Sequence, residues 1–438
     1  MLVSPPRVTL EYLGCKVNQA EIEELGQRFR QAGYAIASAE DVTDVYVLNS
    51  CTVTHVADRK TRLLIHQMAR RNPGALIVVT GCYATVDPAA VQDIAGVDVV
   101  VGNGDKARLV EIVSAQMAHA PQRDRDEADR WPDRRAALDR TRAMLKVQDG
   151  CDSFCTYCIV PAARGCVSSV PIPTVLDDIR RRVDEGFQEV VLTGVALGSY
   201  GRDWGQDNAL TRLVEAILGQ TALPRLRLSS IEPENLDHAL LAMWSDHRFC
   251  RHLHLPLQSG CDATLKRMGR RYRCADYAAL VERARAVAPD AAITTDIIAG
   301  FPGETSEEFA LSYAFTRAMA FARLHVFRFS ARRGTAATRL PGRVAETDKK
   351  TRSAALLALS DECEQAFRRQ FLGATRQVLW EEHWTPPQAP TADGRAWWTG
   401  LTGNYIRVYA PSDKNMHNHI SNVLLQGEMA DGMLGQIA

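Results

Sequence analysis

The sequence predicts an α/β protein in three parts: an N-terminal parallel α/β sheet domain, a central partial (β/α) barrel and a small C-terminal β-barrel. Three observations carry this expectation. In the first part, apolar strand-like runs alternate with helical patterns, as in a parallel sheet covered by helices. A charged segment poor in apolar periodicity interrupts the alternation, which then resumes with six more strand-like runs. Near the end the pattern changes to short alternating strands, the habit of a small barrel.

Taken in order, the first strands are Val8-Thr-Leu-Glu-Tyr-Leu-Gly-Cys15, Asp44-Val-Tyr-Val-Leu-Asn-Ser-Cys51 and Ala75-Leu-Ile-Val-Val-Thr-Gly-Cys82. Their near-continuous apolar character fits buried parallel strands. Helical patterns at Glu21 to Ala32 and Thr54 to Arg71 separate them, the second stopping at Asn72-Pro73-Gly74. Between Pro121 and Arg142 the chain is mostly Arg, Asp and Glu and reads as a surface linker. The six later runs begin at Met144, Glu189, Leu226, His252, Ala292 and Leu324, too many for a small sheet and suited to a partial or full barrel. A long helix at Glu346 to Phe371 precedes the barrel strands Gln377 to Glu382, Arg395 to Trp398 and Asn404 to Tyr409. The expected division is therefore 1–118, a linker at 119–143, 144–371 and 372–438.

Cys151-x-x-x-Cys155-x-x-Cys158 carries the clearest chemistry. Three thiolates in one tight loop hold three irons of a 4Fe-4S cube and leave the fourth iron open to substrate, whereas electron-carrying clusters and structural zinc sites normally take four protein ligands. The alternatives are a zinc loop completed by a distant residue and buried cysteines brought together by chance. Cys15, Cys51 and Cys82 each end an apolar strand, and ligands gather at the carboxyl ends of parallel strands. They are therefore expected to converge and hold a second open-iron cluster, against the alternative of three unrelated buried thiols. Cys166, Cys250, Cys261, Cys274 and Cys363 match no cluster motif and are expected to be buried as small hydrophobes.

Composition bounds the setting. A chain of 438 residues, 46% hydrophobic, has apolar material for two or three cores. Its eleven cysteines are an odd number in a chain too large to need disulfide staples, so a reducing, cytoplasmic compartment is expected. The opening Met1-Leu-Val-Ser-Pro-Pro-Arg lacks an apolar signal core, and no run approaches a membrane span. The 52 basic and 52 acidic residues cancel, so nucleic-acid binding must come from local patches.

The Cys151 loop, with Tyr157 before its last cysteine, resembles the radical S-adenosylmethionine (SAM) superfamily. Leu13-Gly-Cys-Lys-Val-Asn18, Asn49-Ser-Cys-Thr-Val-Thr54, Thr80-Gly-Cys-Tyr83, Pro161-Ala-Ala-Arg-Gly165, Ser229-Ser-Ile-Glu-Pro233, His254-Leu-Pro-Leu-Gln-Ser-Gly260 and Asp296 to Glu304 resemble its methylthiotransferase branch across the whole chain. Within that branch, Gly14-Cys-Lys-Val-Asn-Gln19 and Gly400 to Val408 are similar to the enzymes that modify threonylcarbamoyladenosine in tRNA. Relatives acting on isopentenyladenosine usually differ after the first cysteine. The C-terminal barrel resembles the TRAM domain, an RNA-binding module.

The resemblance implies that the open iron on Cys151, Cys155 and Cys158 chelates SAM and yields a 5′-deoxyadenosyl radical, which takes hydrogen from carbon 2 of the adenine. The second cluster, on Cys15, Cys51 and Cys82, would hold and pass on the sulfur. An electron donor protein and a sulfur donor are also implied, neither identified by the sequence. Tyr157 would contact the SAM adenine, Gly194 would admit the cofactor's methionine end, and Glu232 and Gln258 would offer polar contacts. Gly194 as a turn glycine and Glu232 as a helix-start residue are the plainer alternatives. Lys16 or Arg407 would pair with the threonyl carboxylate, and Tyr405 and Arg407 would offer RNA a stacking face and a phosphate contact. Arg267, Arg270, Arg271 and Arg273, with Arg328, Arg332 and Arg333, are candidate RNA patches. Ser168 and Ala196 depart from the family pattern. The non-enzymatic alternative is an iron-sulfur or zinc RNA-binding protein in which the cysteines only brace the fold.

Overall fold

A computed structural model describes residues 5–38, 40–118, 141–385 and 395–438. The expected linker falls outside the described residues except for its last three, and of these Arg142 and Ala143 already belong to a strand.

Five strands form the N-terminal sheet: β1 (Arg7–Tyr12), β2 (Ala35–Ala37), β3 (Val45–Ser50), β4 (Leu76–Gly81) and β5 (Val99–Val101). Their order is β2-β1-β3-β4-β5 and every pairing is parallel. All of β3 is buried because helices cover both faces. Val45, Val47 and Val78 pack on one side with Leu25 and Phe29 of the helix Lys16–Gln31. Tyr46, Leu48 and Val79 pack on the other with Ile65 and Met68 of the helix His55–Arg71, whose cap Thr54 accepts a hydrogen bond from the Ala57 N–H. The first helix begins five residues earlier than its apolar periodicity shows, directly after Cys15.

The central unit contains β6 (Arg142–Lys146), β7 (Gln148–Asp149), β8 (Ser168–Ser169), β9 (Glu189–Thr193), β10 (Arg225–Leu228), β11 (His252–His254), β12 (Ala292–Ala299) and β13 (Arg323–Arg328). Strands β6, β9 and β10 pair in parallel, as do β11, β12 and β13. Parallel bridges Leu226 to Phe249 and Ser230 to His254 join the two sets. The result is a six-strand array in chain order, with no pairing between β13 and β6 among the described residues, which makes it a partial barrel. Its core runs from Val190 and Leu226 on the strands to Ile179, Leu213 and Tyr277 on the covering helices. The expected run from Met144 to Gly150 divides at Val147, and β7 pairs with β8 instead.

The closing barrel is formed by β14 (Thr375–His383), β15 (Ala396–Thr402), β16 (Arg407–Ser412), β17 (Ile420–Met429) and β18 (Gly432–Ile437), ordered β14-β15-β16-β18-β17 and closed. The last two strands have little sequence signal: in β17 only Val423 and Leu425 are buried, and a register shift follows Leu425. Among the described residues, no helix is long and apolar enough to cross a membrane.

Candidate active site

Cys15, Cys51 and Cys82 converge where the sheet order predicts. The order in which strands are added reverses between the parallel neighbours β1 and β3, and open α/β sheets bind ligands in the crevice at the carboxyl ends of such a pair. Cys15 precedes the first helix, Cys51 follows β3 and Cys82 opens the short helix Cys82–Val86 after β4. Gly14 has φ +97°, and a side-chain carbon there would stand 2.7 Å from Cys51 Sγ. Only glycine allows this backbone conformation and this approach together. Burial pushes the Cys51 thiol up to about 12, and Cys82 and Cys15 act in the same direction. Burial also raises Cys15, while Arg164 opposes the shift. Three thiols so placed repel one another once ionised, and a multiply cationic iron cluster would relieve that repulsion.

The Cys151 loop lies between β7 and the helix Val160–Arg164. Gly150 has φ +71°, and a side-chain carbon there would sit 1.8 Å from the Cys166 carbonyl oxygen. The Ser153 N–H donates to Cys151 Sγ at 3.4 Å, the Val160 N–H to Cys158 Sγ at 3.5 Å, and Arg270 Nη1 to Cys155 Sγ at 3.4 Å. Such donors stabilise cluster-bound thiolates. Burial pushes Cys158 up to about 12, and neighbouring Cys155 and Cys151 add to the shift. The donor set thus fits a cluster.

Of the residues assigned to SAM, Tyr157 lies within this loop, and Gly194, Glu232 and Gln258 follow β9, β10 and β11. Burial holds the Tyr157 hydroxyl well above its usual range, and its ring meets Phe301 edge-on at 6.3 Å. Glu232 is pushed up to about 7, chiefly by burial, and its Oε2 is buried without a partner, an acceptor that a ligand's donor would satisfy. It also precedes the short turn Pro233–Asn235, so the helix-start placement holds as well. Gly194 packs so closely on Gln148 that a side-chain carbon would lie 2.6 Å from Gln148 Oε1. Gln258 adopts φ +68°; its N–H donates to the Asp296 carbonyl and its carbonyl accepts from the Ile298 N–H. Ala196, one of the two departures, is buried and gives its N–H to Gln148 Oε1, while Ser168 is exposed at the β7–β8 pair.

A cavity of about 1400 Å³ joins the three units. Cys15, Cys51 and Cys82 line it, as do Gly194, Lys16, Tyr405 and Arg407. The helix after the Cys151 loop reaches it through Val160 and Arg164, while Cys151, Cys155, Cys158, Tyr157, Glu232 and Gln258 are not in its lining. His252 and His254 share one face of β11 and line the cavity, with His254 bonded to Thr294 at 2.9 Å and 3.1 Å from Asp296. His252 is held well below its usual range by burial and by Arg227 and Lys16, so it is a neutral ring there.

Several placements differ from expectation. Tyr405 is not an open stacking face: the Arg227 guanidinium lies 4.1 Å from its ring centroid and the His252 ring 4.5 Å away. Of the candidate RNA-patch arginines, Arg270 is tucked under the Cys151 loop, Arg267 is tied to Glu308, and Arg332 is buried against Asp58 at 2.7 Å. Cys166 is exposed and Cys274 and Cys363 are half-buried, so of the five only Cys250 and Cys261 are buried as expected.

A buried polar network escaped the sequence reading. Glu21 receives Lys106 Nζ at 2.6 Å, Lys146 Nζ at 2.9 Å and Arg164 Nη1 at 2.9 Å, and Arg164 also reaches Asp149 at 3.0 Å and Asn18 Oδ1 at 2.6 Å. It fastens the first helix, and with it Cys15, to the end of the Cys151 loop. Arg164 stands in the quoted Pro161 to Gly165 motif, which was the one available signal.

Comparison with known proteins agrees with this arrangement. Residues 7–102 match the uncharacterized protein family UPF0004 and residues 145–316 match the radical SAM superfamily. The threonylcarbamoyladenosine tRNA methylthiotransferase MtaB of Bacillus subtilis is 36% identical over 433 residues, 95% of this chain and 93% of that protein. Its Thermotoga maritima namesake is 38% identical, over 85% of this chain and 86% of that protein. A tRNA-2-methylthio-N(6)-dimethylallyladenosine synthase of Frankia alni is 37% identical over 84% of this chain and 76% of that protein. In fold, the radical SAM methyltransferase TsrM of Kitasatospora setae matches with TM-score 0.53 at 16% identity, covering 74% of this chain and 75% of TsrM. Superfamily membership brings SAM and a 4Fe-4S cluster as cofactors, and makes the protein an enzyme rather than a binding module braced by cysteines. The chain belongs to the radical SAM methylthiotransferase family, in the branch whose members carry the threonylcarbamoyladenosine name.

Proposed function

We propose that this enzyme adds a methylthio group to carbon 2 of threonylcarbamoyladenosine beside the tRNA anticodon, using two 4Fe-4S clusters. Cys151, Cys155 and Cys158 would hold one cluster, and Cys15, Cys51 and Cys82 the other. Bound SAM and the clusters supply the radical and sulfur-transfer chemistry. The chain's own part is to position and to exclude water. Glu232 and Gly194 would offer SAM a buried acceptor and a close backbone approach, with Tyr157 within the loop and Gln258 after β11. The units would divide at 1–118, 144–371 and 372–438, with the tRNA held across them. An electron donor protein and a sulfur donor complete the reaction.

One observation carries the choice of substrate. Among the described residues, the cavity-lining cations Arg142, Arg164, Arg323 and Arg368 each have a carboxylate partner, whereas Lys16 and Arg407 have none. Two unpaired cations in a shared cavity suit a substituent bearing a carboxylate, and a prenyl group would leave them unmatched. Reconstituted enzyme should convert tRNA carrying threonylcarbamoyladenosine and ignore tRNA carrying isopentenyladenosine, read by nucleoside mass spectrometry. Equal conversion of both, or of the second alone, would refute the substrate while leaving the methylthiotransferase chemistry in place.

A further inference from the structure

The C-terminal barrel sends one side chain into the cavity from a turn whose backbone is strained. Thr402 to Ile406 closes the β15–β16 hairpin: the Tyr405 N–H donates to the Thr402 carbonyl at 3.1 Å and the Ile406 N–H to Thr402 Oγ1 at 2.9 Å. Asn404 is fixed by its bond to the Asp290 carbonyl at 3.0 Å. The left-handed position, φ +66°, falls to Tyr405 and not to the neighbouring glycine or asparagine. Bulky residues occupy that region only where the surroundings over-determine them, and such positions cluster at ligand sites.

The hydroxyl is half satisfied. Arg142 Nη1 donates to it at 3.0 Å, and because a guanidinium accepts nothing, the tyrosine's own proton is left over. Among the described residues that proton has no acceptor, and the side chain lines the cavity. Lys16 Nζ lies 5.8 Å from the ring centroid, and Arg227 covers it. Burial raises the hydroxyl's affinity for its proton, yet Lys16, Arg227 and Arg142 outweigh burial and hold it below its usual range, which makes it the stronger donor.

We infer that Tyr405 determines specificity by donating its hydroxyl proton to an acceptor oxygen of the adenosine's polar substituent, beside the cations Lys16 and Arg407. The inference deepens the substrate reading above and rests on it. It makes the C-terminal barrel a wall of the substrate site as well as a handle for tRNA.

The test is binding of anticodon stem-loops by the full, cluster-loaded chain. Wild type should prefer the loop carrying threonylcarbamoyladenosine over the same loop with plain adenosine. Tyr405→Phe keeps the ring and its stacking but should lose about tenfold of that preference, as expected for a charge-assisted hydrogen bond. Its affinity for the plain loop should hold, and its KM for modified tRNA should rise in parallel. Tyr405→Asn, whose side chain tolerates the left-handed turn, should show the same selective loss. A Tyr405→Phe protein with wild-type preference, or one that loses both loops equally, would overturn the inference. Failure of the substrate reading would show in wild type itself, as preference for a loop carrying isopentenyladenosine.

Discussion

Arg164 shows what a single residue contributes here and why sequence hides it. Its side chain is 2% exposed and touches Glu21, Asp149 and Asn18, so one guanidinium holds elements of both cysteine sets. The cysteines were legible because each stands in a short motif or at a strand end. Arg164, Glu21 and Arg227 were not, because a buried ion pair and a solvated one have the same letters, and only the folded partners distinguish them. The two cysteine sets also predict separable defects. Cys155→Ala would remove one of the three proposed ligands of the first cluster and should abolish 5′-deoxyadenosine formation. Cys51→Ala should spare that cleavage and abolish methylthiolated nucleoside, both read by chromatography of one anaerobic reaction. Normal product from the Cys51→Ala protein would end the two-cluster proposal.

At the scale of elements, β3, β4 and β9 were legible because burial on both faces makes them largely apolar, whereas the three-residue strands β2 and β5 are too short to carry a pattern. Strands β17 and β18 were not: only five of their sixteen residues are buried, and a register shift breaks the period. The barrel they complete resembles an RNA-binding module, and it is also wired into the central unit. Arg225 donates to the Leu401 carbonyl at 3.1 Å, Arg227 to the Gly403 carbonyl at 2.9 Å, and Arg142 pairs with Glu381 at 2.9 Å. A chain ending at Gly373 loses these bonds to water, at about 1.5–3 kcal/mol for each hydrogen bond to a charged group. It should therefore melt at a lower temperature as well as lose most tRNA affinity. Phosphate contacts weaken with salt, so the difference in affinity between full and shortened chains should shrink as salt rises. Unchanged tRNA binding at low salt would sink this role for the barrel.

At the scale of the whole molecule, buried ion pairs join the first two units, namely Glu21 with Lys146 and Arg164 and Asp58 with Arg332, while Glu189 holds Arg225 and Arg227, which donate to carbonyls of the barrel. Charged interfaces of this kind fix how units dock more than how tightly, since desolvation offsets much of the attraction. The relation of the units was for the same reason the least legible feature of the sequence, which shows three patterns but not the charges that join them. Glu189 gives the sharpest test. It is fully buried and burial alone would raise its carboxyl, but Arg227 and Arg225 prevail and bring it down to about 2 from an ordinary 4.5. A depressed carboxylate contributes stability above its unfolded pKa and loses it as pH falls through the folded value. Glu189→Gln leaves both arginines without an anion and should cost about 3–5 kcal/mol at neutral pH, read by urea unfolding. The gap between wild type and Glu189→Gln should then narrow as pH drops from about 4.5 toward about 2, because protonation imposes on wild type the same loss of charge. A gap that stays constant over that range would mean that the carboxylate's charge does not hold the barrel turn in place.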